Sequence, residues 1–391
     1  MRKDLSAQAL AAGVLAAFVG FASSFAVIIR GLLAVGATQA QAASGLMALS
    51  IAMGVCGIIL SLRSRLPISV AWSTPGAALL ATTGTVAGGF AAAVGAFLLC
   101  GALIVLAGLW KPLGRWVAAI PPPLANAMLA GVLLSLCLAP VHAVAETPML
   151  GLPVVVVWAV MARFKRLYAV PAAVVVAAVL IVATAHLSAA SMGPLWPAPL
   201  LMPPVFNAAA IVGIAVPLFI VTMASQNIPG MAVLNVNNYR PAPGPLFVAT
   251  GLFGVLAAPF GSHAVNLAAI TAAMCSGPDA HPDAKRRYWA AVAAGATYVV
   301  FGLLAGADTA FIAAAPPILI EAVAGLALLG AFGAALMGAA ADPKTREAAI
   351  ITFLVTGSGV TLLGISGAFW GLIAGGAMMA LGRVDLLRRP G

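Results

Sequence analysis

The sequence predicts an all-α polytopic membrane protein with fourteen transmembrane segments. Of its 391 residues, 63% are hydrophobic and only 7% are charged, whereas a soluble domain carries about 25% charged residues. No soluble fold of this length buries so much apolar surface. Apolar runs on the scale of a bilayer-spanning helix, about 20 residues, occur at 7–29, 40–61, 67–83, 86–109, 121–140, 149–163, 168–185, 207–233, 245–260, 261–277, 287–307, 316–340, 346–366 and 368–382.

The basic residues support this count and orient the chain. With the N-terminus in the cytoplasm, the cytoplasmic segments hold all but one of the 19 Lys and Arg residues, and the exception is Arg30. Positive charge collects in the cytoplasmic loops of membrane proteins, so the net charge of +10 implies no nucleic-acid partner. The even count places both termini in the cytoplasm, and the first span is expected to be retained rather than cleaved.

A weak internal repeat divides the chain at the loop 186–206, which carries no Lys or Arg and leaves seven spans on each side. Because seven is odd, the second half starts on the opposite side of the membrane, so the repeat must be inverted. Inverted repeats with interrupted helices are typical of secondary transporters, whose substrate site lies near the midplane. The matching stretches are 25–36 with 231–242, 67–81 with 259–273, and 122–131 with 316–325.

Helix-breaking residues interrupt the third apolar run, which reads PISVAWSTPGAALLA at 67–81. Pro75 and Gly76 indicate the point where an extended piece becomes a half-helix. Ser73 and Thr74 are then expected at its N-cap, where hydroxyl groups satisfy free backbone N–H groups. All four residues are candidates for contact with a substrate, and a helix cap alone is the alternative.

The tenth run is expected to hold a matching half-helix that begins within GSHAVN, 261–266. Asn266 then takes the mirror position of Thr74, and His263 lies just before the half-helix. Two facing helix N-termini carry partial positive charge and unpaired N–H donors, an arrangement that suits an anion such as a carboxylate. We therefore count Asn266 and His263 among the candidate ligands.

Further candidates are polar or aromatic residues inside apolar runs. Gln226 and Asn227 form an amide pair in span 8, and a buried amide needs a partner; hydrogen bonding between helices is the alternative. Ser23 and Ser24 lie in span 1, where close helix packing explains small residues equally well. The aromatic candidates for stacking on a substrate ring, with simple packing as the alternative, are Phe21 and Phe25.

Glu321 is the one acidic residue well inside a predicted span, and an intramembrane carboxylate is a functional candidate. It is expected to carry a coupling proton, to brace the protein, or to face water on the outer side. His263 is a second proton-carrying candidate because histidine titrates near neutral pH, although a packed neutral histidine is equally consistent. Arg30 either attracts anions at an entrance or extends to the lipid headgroups.

The stretches PISVAWSTPGAALLA, ASQNIPGMAVL (224–234) and PP…AGLALLGA (316–331) resemble the benzoate/proton symporter family (BenE type), and the resemblance covers essentially the whole chain. It implies import of benzoate or a similar aromatic carboxylate with a proton. This family is similar in architecture to uracil permeases and to the anion-exchanger and sulfate-permease group. That architecture implies a seven-plus-seven inverted repeat, short strands in spans 3 and 10, and an elevator-like movement of a core domain (1–115 and 207–307) against a gate domain (116–206 and 308–391).

One departure from the uracil permeases bears on the substrate. Those relatives carry carboxylates in spans 8 and 10, whereas the residues at similar places here are the neutral Gln226, Asn227 and Asn266. The exchange fits an anionic substrate, which carboxylates would repel, but it removes the obvious proton carriers. A carrier of the same fold for a nucleobase or an inorganic anion is the main alternative.

Other classes of function have less support. The sequence has no HExxH motif, no pair of membrane aspartates and no P-loop, so an intramembrane enzyme or an ATP-driven pump is not favoured. A channel is a further alternative, but interrupted paired helices and inverted repeats fit a carrier better. Its four cysteines lack metal-site spacing, and no metal or cofactor is expected. The expected partners are a benzoate-like anion, protons and the lipid bilayer. The expected location is a bacterial inner membrane, and formation of a homodimer is left open.

Overall fold

The computed structural model describes residues 6–110, 112, 121–184, 196–268, 270–307, 309, 316–360, 362 and 367–388. The chain is a mostly helical membrane protein. Within these residues, seven helices are long and apolar enough to cross a bilayer: Ala7–Ala34, Gln39–Ser64, Gly89–Leu109, Pro122–Glu146, Ala208–Val236, Pro243–Phe260 and Pro317–Ala340. The other apolar runs of the sequence contain shorter helices or short strands followed by helices.

The first half of the chain runs from α1 to α8, with one strand. The first long helix bends at Ser23 and Ser24, which separate α1 from α2. A capping box between Thr38 and Gln41 begins α3, and proline in the first turn begins α6 and α7. The elements are α1 (Ala7–Ala22), α2 (Phe25–Ala34), α3 (Gln39–Ser64), β1 (Val70–Trp72), α4 (Thr74–Thr83), α5 (Gly89–Leu109), α6 (Pro122–Glu146), α7 (Pro148–Phe164) and α8 (Ala169–Thr184).

The second half starts with α9 (Ala208–Val236), a long helix that is wound as a π-helix in two places, Ile211–Ala215 and Met223–Asn227. Such π segments are frequent at functional sites, because the extra residue per turn displaces side chains from the regular helical faces. The remaining elements are α10 (Pro243–Ala257), β2 (Val265–Leu267), α11 (Ile270–Ser276), α12 (Tyr288–Leu303), α13 (Pro317–Ala340), α14 (Arg346–Gly357) and α15 (Gly367–Arg388).

The two strands pair antiparallel in a two-stranded sheet, with Ala71 opposite Asn266. One further backbone hydrogen bond extends the pairing at each end, from Ser73 N to Ala264 O at 3.2 Å and from Ala268 N to Ser69 O at 2.9 Å. The backbone of each extended piece is thereby satisfied inside the protein, as an apolar surrounding requires. The short strands expected in spans 3 and 10 are therefore present.

The expected start of the second half-helix is wrong. The sequence predicts a start within 261–266, but residues 265–267 form β2 and the helix begins at Ile270. Asn266 therefore lies in the middle of a strand and is not the mirror of Thr74, which is the first residue of α4. His263 precedes the strand rather than the helix. The match of 67–81 with 259–273 places this helix too early. The extended segment before the helix continues further along the sequence than this match implies.

The helices pack in two groups. In the first group, α12 packs along both α1 and α3, α5 packs along α10, and α2 packs along α4. In the second group, α6 packs along both α13 and α14, and α7 packs along α8. Glycines allow the closest approach between α3 and α12, since a Cβ atom on Gly54 would lie 2.4 Å from the carbonyl oxygen of Gly295. The groups touch where α4 meets α6 and where α2 meets α13.

Candidate functional site

A small cavity lies where the bend of the first helix, the two short strands and the π segment of α9 meet. Its volume is about 60 Å³, and the share of one water molecule in the liquid is about 30 Å³. None of the described residues that line it carries a formal charge. The described lining residues are Val19, Gly20, Ser23, Ser24, Met53, Ala71, Trp72, Thr74, Gln226, Ala268, Thr271 and Tyr298.

The N-terminus of α4 forms one side of this cavity. Ser73 is the N-cap, as expected, and its hydroxyl oxygen accepts hydrogen bonds from Gly76 N at 3.1 Å and from the Thr222 hydroxyl at 2.9 Å. Pro75 and Gly76 are buried in the first turn. Among the described residues, only Thr74 of this turn reaches the cavity, and no hydrogen bond of its hydroxyl is recorded there. Thr74 therefore presents a free hydroxyl at the positive end of a helix.

The bend in the first helix supplies a second side. The hydroxyl groups of Ser23 and Ser24 both donate to Gly20 O, at 3.0 and 2.9 Å. The Ser24 oxygen also accepts a hydrogen bond from Trp72 Nε1 at 2.8 Å. Both serines line the cavity, but their donors are already used. Ser24 therefore fixes the orientation of the Trp72 indole ring.

Aromatic rings form a continuous group beside the cavity. Trp72 and Tyr298 line it directly, with ring centroids 6.4 Å apart and planes tilted by 47°. Phe21 contacts Trp72 from behind at 5.3 Å and stacks on Phe25 at 5.5 Å. Neither phenylalanine is among the described lining residues of the cavity; Phe21 packs against the Trp72 ring, and Phe25 packs against Phe21.

The π segment separates the two amides of span 8. Asn227 is fully buried and its Oδ1 accepts the hydrogen bond of Leu267 N at 2.9 Å, so it holds strand β2 in place. The neighbouring Gln226 faces the cavity instead. Within the described part of the chain, no hydrogen bond of the Gln226 side chain is recorded, which leaves its amide available to a ligand.

Asn266 and His263 are buried away from the described lining of the cavity. Asn266 Nδ2 donates to Leu267 O at 2.9 Å, while its Oδ1 has no hydrogen-bond partner among the described residues. His263 packs edge-on against Phe97, with ring centroids 6.4 Å apart. Both of its ring nitrogens are likewise without a described partner. The position of His263 agrees with a packed neutral histidine.

Glu321 is not among the described lining residues of the cavity, and it forms an ion pair with Arg30. The pair joins α2 to α13 and so connects the two groups of helices. The side chains are 38% exposed for Arg30 and 25% exposed for Glu321. The two charged residues that the sequence analysis treated separately are therefore partners.

The sequence analysis missed Trp72 and Tyr298 as the aromatic residues of the site. Trp72 stands directly before the Ser73 cap, so its place beside a predicted half-helix N-terminus could have identified it. Tyr298 carries no such signal, since it lies in a regular helix and reaches the cavity only through the packing of α12 on α1. Thr271, which shares a hydrogen bond of 3.3 Å with Ser69, was missed for the same reason.

Comparison with known proteins identifies relatives that span nearly the whole chain. A family model described as benzoate membrane transport protein (BenE) matches residues 3–381. Inner membrane protein YdcO of Escherichia coli (strain K12) is 42% identical over 367 residues, which cover 94% of each chain. A benzoate membrane transport protein of Acinetobacter baylyi is 32% identical over 383 residues, which cover 96% of this chain and 95% of that one.

Two solved structures share the fold at low sequence identity. The transmembrane domain of a cyanobacterium bicarbonate transporter, BicA, has a TM-score of 0.59 at 15% identity and covers 97% of this chain and 98% of that one. SLC26A9 has a TM-score of 0.65 at 13% identity and covers 96% of this chain and 65% of that one. These likenesses concern the fold alone. The family model and the two sequence relatives, taken with a helical membrane fold, show that the chain is a membrane transporter rather than an enzyme and that it belongs to the benzoate membrane transport protein family.

Proposed function

We propose that this protein imports benzoate or a similar aromatic carboxylate together with a proton. The observation that carries the proposal is the composition of the small cavity. Thr74 and Gln226 offer unused hydrogen-bond donors, Trp72 and Tyr298 offer aromatic faces, and no acidic side chain is among the described lining residues. An aromatic carboxylate needs these two kinds of contact at once.

The carboxylate group would lie at the N-terminus of α4. The Thr74 hydroxyl and the Gln226 amide would donate to it, and the helix dipole would favour its negative charge without a buried arginine. The ring would lie against Trp72 and Tyr298, where offset or edge contacts between aromatic rings are favourable. Of the other residues named from the sequence, Ser73, Pro75, Gly76, Asn227 and Ser24 would act by positioning these groups.

The size of the cavity supports a mechanism with a conformational change. At about 60 Å³, it is much smaller than small-molecule pockets of about 300–1,000 Å³ and would have to widen to admit an aromatic acid. Met53 lies in its lining and is unbranched, so it can adapt to a ligand. The two groups of helices would then be the moving parts, a core (1–115 and 207–307) and a gate (116–206 and 308–391), in an elevator-like exchange within a seven-plus-seven inverted repeat of fourteen spans.

Proton coupling is assigned to Glu321 in this proposal. Protonation would remove the negative charge that holds Arg30, and with it the ionic contact between α2 of the core and α13 of the gate. A proton taken up from the outer side would thereby loosen one group against the other. His263 is the second candidate, although its burial against Phe97 leaves no described path for a proton. Symport of one proton with one monoanion would be electroneutral.

The distribution of charge supports the proposed location. The described basic segments, including 63–65 and 285–287, would face the cytoplasm under the positive-inside rule, and both termini would lie there. The relative from Escherichia coli is described as an inner membrane protein, which supports the same bilayer for this chain. Formation of a homodimer is compatible with the proposal.

A second candidate function is transport of a small inorganic anion by the same fold. The observation that favours it is again the cavity volume of about 60 Å³, which suits an ion of a few atoms without any widening. The pair of aromatic rings at the cavity favours the aromatic acid, because rings of this kind add nothing to the binding of a compact hydrated anion.

Uptake of radiolabelled benzoate into proteoliposomes, with and without an inward proton gradient, tests the proposal. Unlabelled substituted benzoates, uracil, sulfate and bicarbonate serve as competitors. We expect uptake that the gradient stimulates and that only aromatic carboxylates inhibit. Absence of benzoate uptake, together with counterflow of another compound of the panel, would refute the proposed substrate and leave the transporter assignment intact.

A further inference from the structure

A second and larger cavity, of about 330 Å³, lies beside the first residues of α1. The Gln8 side chain donates a hydrogen bond of 3.2 Å to the backbone carbonyl of Asp279, which joins the start of α1 to the segment after α11. Apart from these two residues, the described lining is apolar. The lining residues are Gln8, Ala11, Ala12, Leu15, Met274 and Asp279.

The two cavities follow one another along the same pair of helices. Leu15 lines the larger cavity and Val19 lines the smaller one, and four residues of helix span about 6 Å. On α11, Met274 and Thr271 are related in the same way, one turn apart. The α1 residues of both cavities fall on one helix face, as their spacing of three and four residues requires. A single turn of α1 and α11 therefore separates the two spaces.

We infer that the larger cavity is the cytoplasmic vestibule through which the aromatic acid leaves its site. This inference rests on the proposed function. The side of the membrane follows from charge, because the segment that carries Asp279 continues into Lys285, Arg286 and Arg287, and such a basic run marks a cytoplasmic loop. At the other end of the first long helix, the Arg30–Glu321 pair ties α2 to α13 and so joins the two groups of helices on that side.

The dimensions and charge of the vestibule match passage of the substrate rather than its retention. Its volume of about 330 Å³ lies in the range of small-molecule pockets, about 300–1,000 Å³, so an aromatic ring fits where the smaller cavity is too narrow. Ala11, Ala12, Leu15 and Met274 provide apolar contact for the ring. The exposed carboxylate of Asp279 repels a carboxylate anion, which disfavours a resting position and favours release to water.

Obstruction of the vestibule provides the first test. Ala12 lines the cavity, whereas Val14 is 49% exposed and points about 200° away around a helix of 3.6 residues per turn. We expect Ala12→Trp to slow benzoate uptake at least about tenfold, equivalent to about 1.4 kcal/mol on the barrier, and to leave the benzoate dissociation constant in detergent unchanged. Val14→Trp is the matched control. Equal uptake by both variants in a protein that binds benzoate would overturn the inference.

Accessibility of a single introduced thiol provides a test that needs no transport. The four native cysteines are buried, so Ala12→Cys adds one reactive position. A membrane-impermeant maleimide should label it in inside-out vesicles and not in right-side-out vesicles. Labelling from the outer side alone, or from neither side, would overturn the inference. If wild-type protein fails to transport benzoate but the thiol is labelled from the cytoplasm, only the proposed substrate is refuted.

Discussion

Replacement of Thr74 by valine is the sharpest test of how the proposed site would hold a carboxylate. The substitution keeps the branched shape at the first position of α4 and removes only the hydroxyl group, for which no partner is recorded among the described residues. A hydrogen bond to a charged group contributes about 1.5–3 kcal/mol, and 1.4 kcal/mol corresponds to a factor of ten in affinity. We therefore expect the benzoate dissociation constant of Thr74→Val to rise roughly 10- to 100-fold.

Isothermal titration calorimetry of the purified protein in detergent measures this change, and thermal unfolding of the same samples measures stability. Thr82→Val is the matched control on the same helix, because the Thr82 hydroxyl donates to Leu79 O at 3.0 Å and does not line the cavity. It should bind benzoate like wild type. The reasoning is refuted if Thr74→Val also binds like wild type, or if both variants lose affinity equally, since the effect would then belong to the helix and not to the hydroxyl.

Three further substitutions test the rest of the site and its coupling. Gly20→Ala should abolish benzoate binding measured by calorimetry, because its Cβ would lie 2.5 Å from the Tyr298 hydroxyl and fill the cavity. Asn227→Leu should lower the thermal unfolding temperature in detergent, because it leaves the buried Leu267 N–H without its acceptor, at a cost of about 1–3 kcal/mol. Glu321→Gln should retain benzoate exchange in proteoliposomes but lose accumulation driven by a proton gradient, because it removes the carboxylate proposed to carry the coupling proton.

Each of these has a matched control. Gly333→Ala adds a methyl group where nothing lies within 4 Å, so its benzoate affinity should stay at the wild-type value. Asn237→Leu removes a part-buried amide at the end of α9 and should shift the unfolding temperature less than Asn227→Leu. Glu347→Gln changes an exposed carboxylate and should accumulate benzoate normally. A target variant that behaves like its control contradicts the role given to that residue.

The parts of the site that depend on local chemistry were predictable from the sequence. Ser73 followed by Thr74, Pro75 and Gly76 is a helix start whatever surrounds it, because a hydroxyl cap and an early proline both favour the first turn. The capping geometry in the structure matches that expectation. The apolar runs similarly predict helices, since each must satisfy its own backbone in the membrane.

The parts that depend on packing between distant segments were not predictable. Strand β2 fixes the position of Asn266 through pairing with β1, and that register is set by contacts that no single stretch encodes. Phe21 and Tyr298 look alike in sequence, as aromatic residues in apolar helices. Only the packing of α12 on α1 places Tyr298 in the cavity lining and Phe21 behind Trp72. The sequence alone therefore does not distinguish the ring that lines the cavity from the ring that packs behind it.

The short sheet has a consequence for the order in which the protein assembles. Trp72 of β1 pairs with Val265 of β2. Between these two residues the chain passes through most of its first half and the start of its second half. Closing so long a loop is entropically costly and slow. During synthesis, the backbone of residues 70–72 has no ladder partner until span 10 has emerged. The small cavity that Ala71, Trp72 and Ala268 line is therefore completed late in synthesis, only after residues 265–267 have emerged.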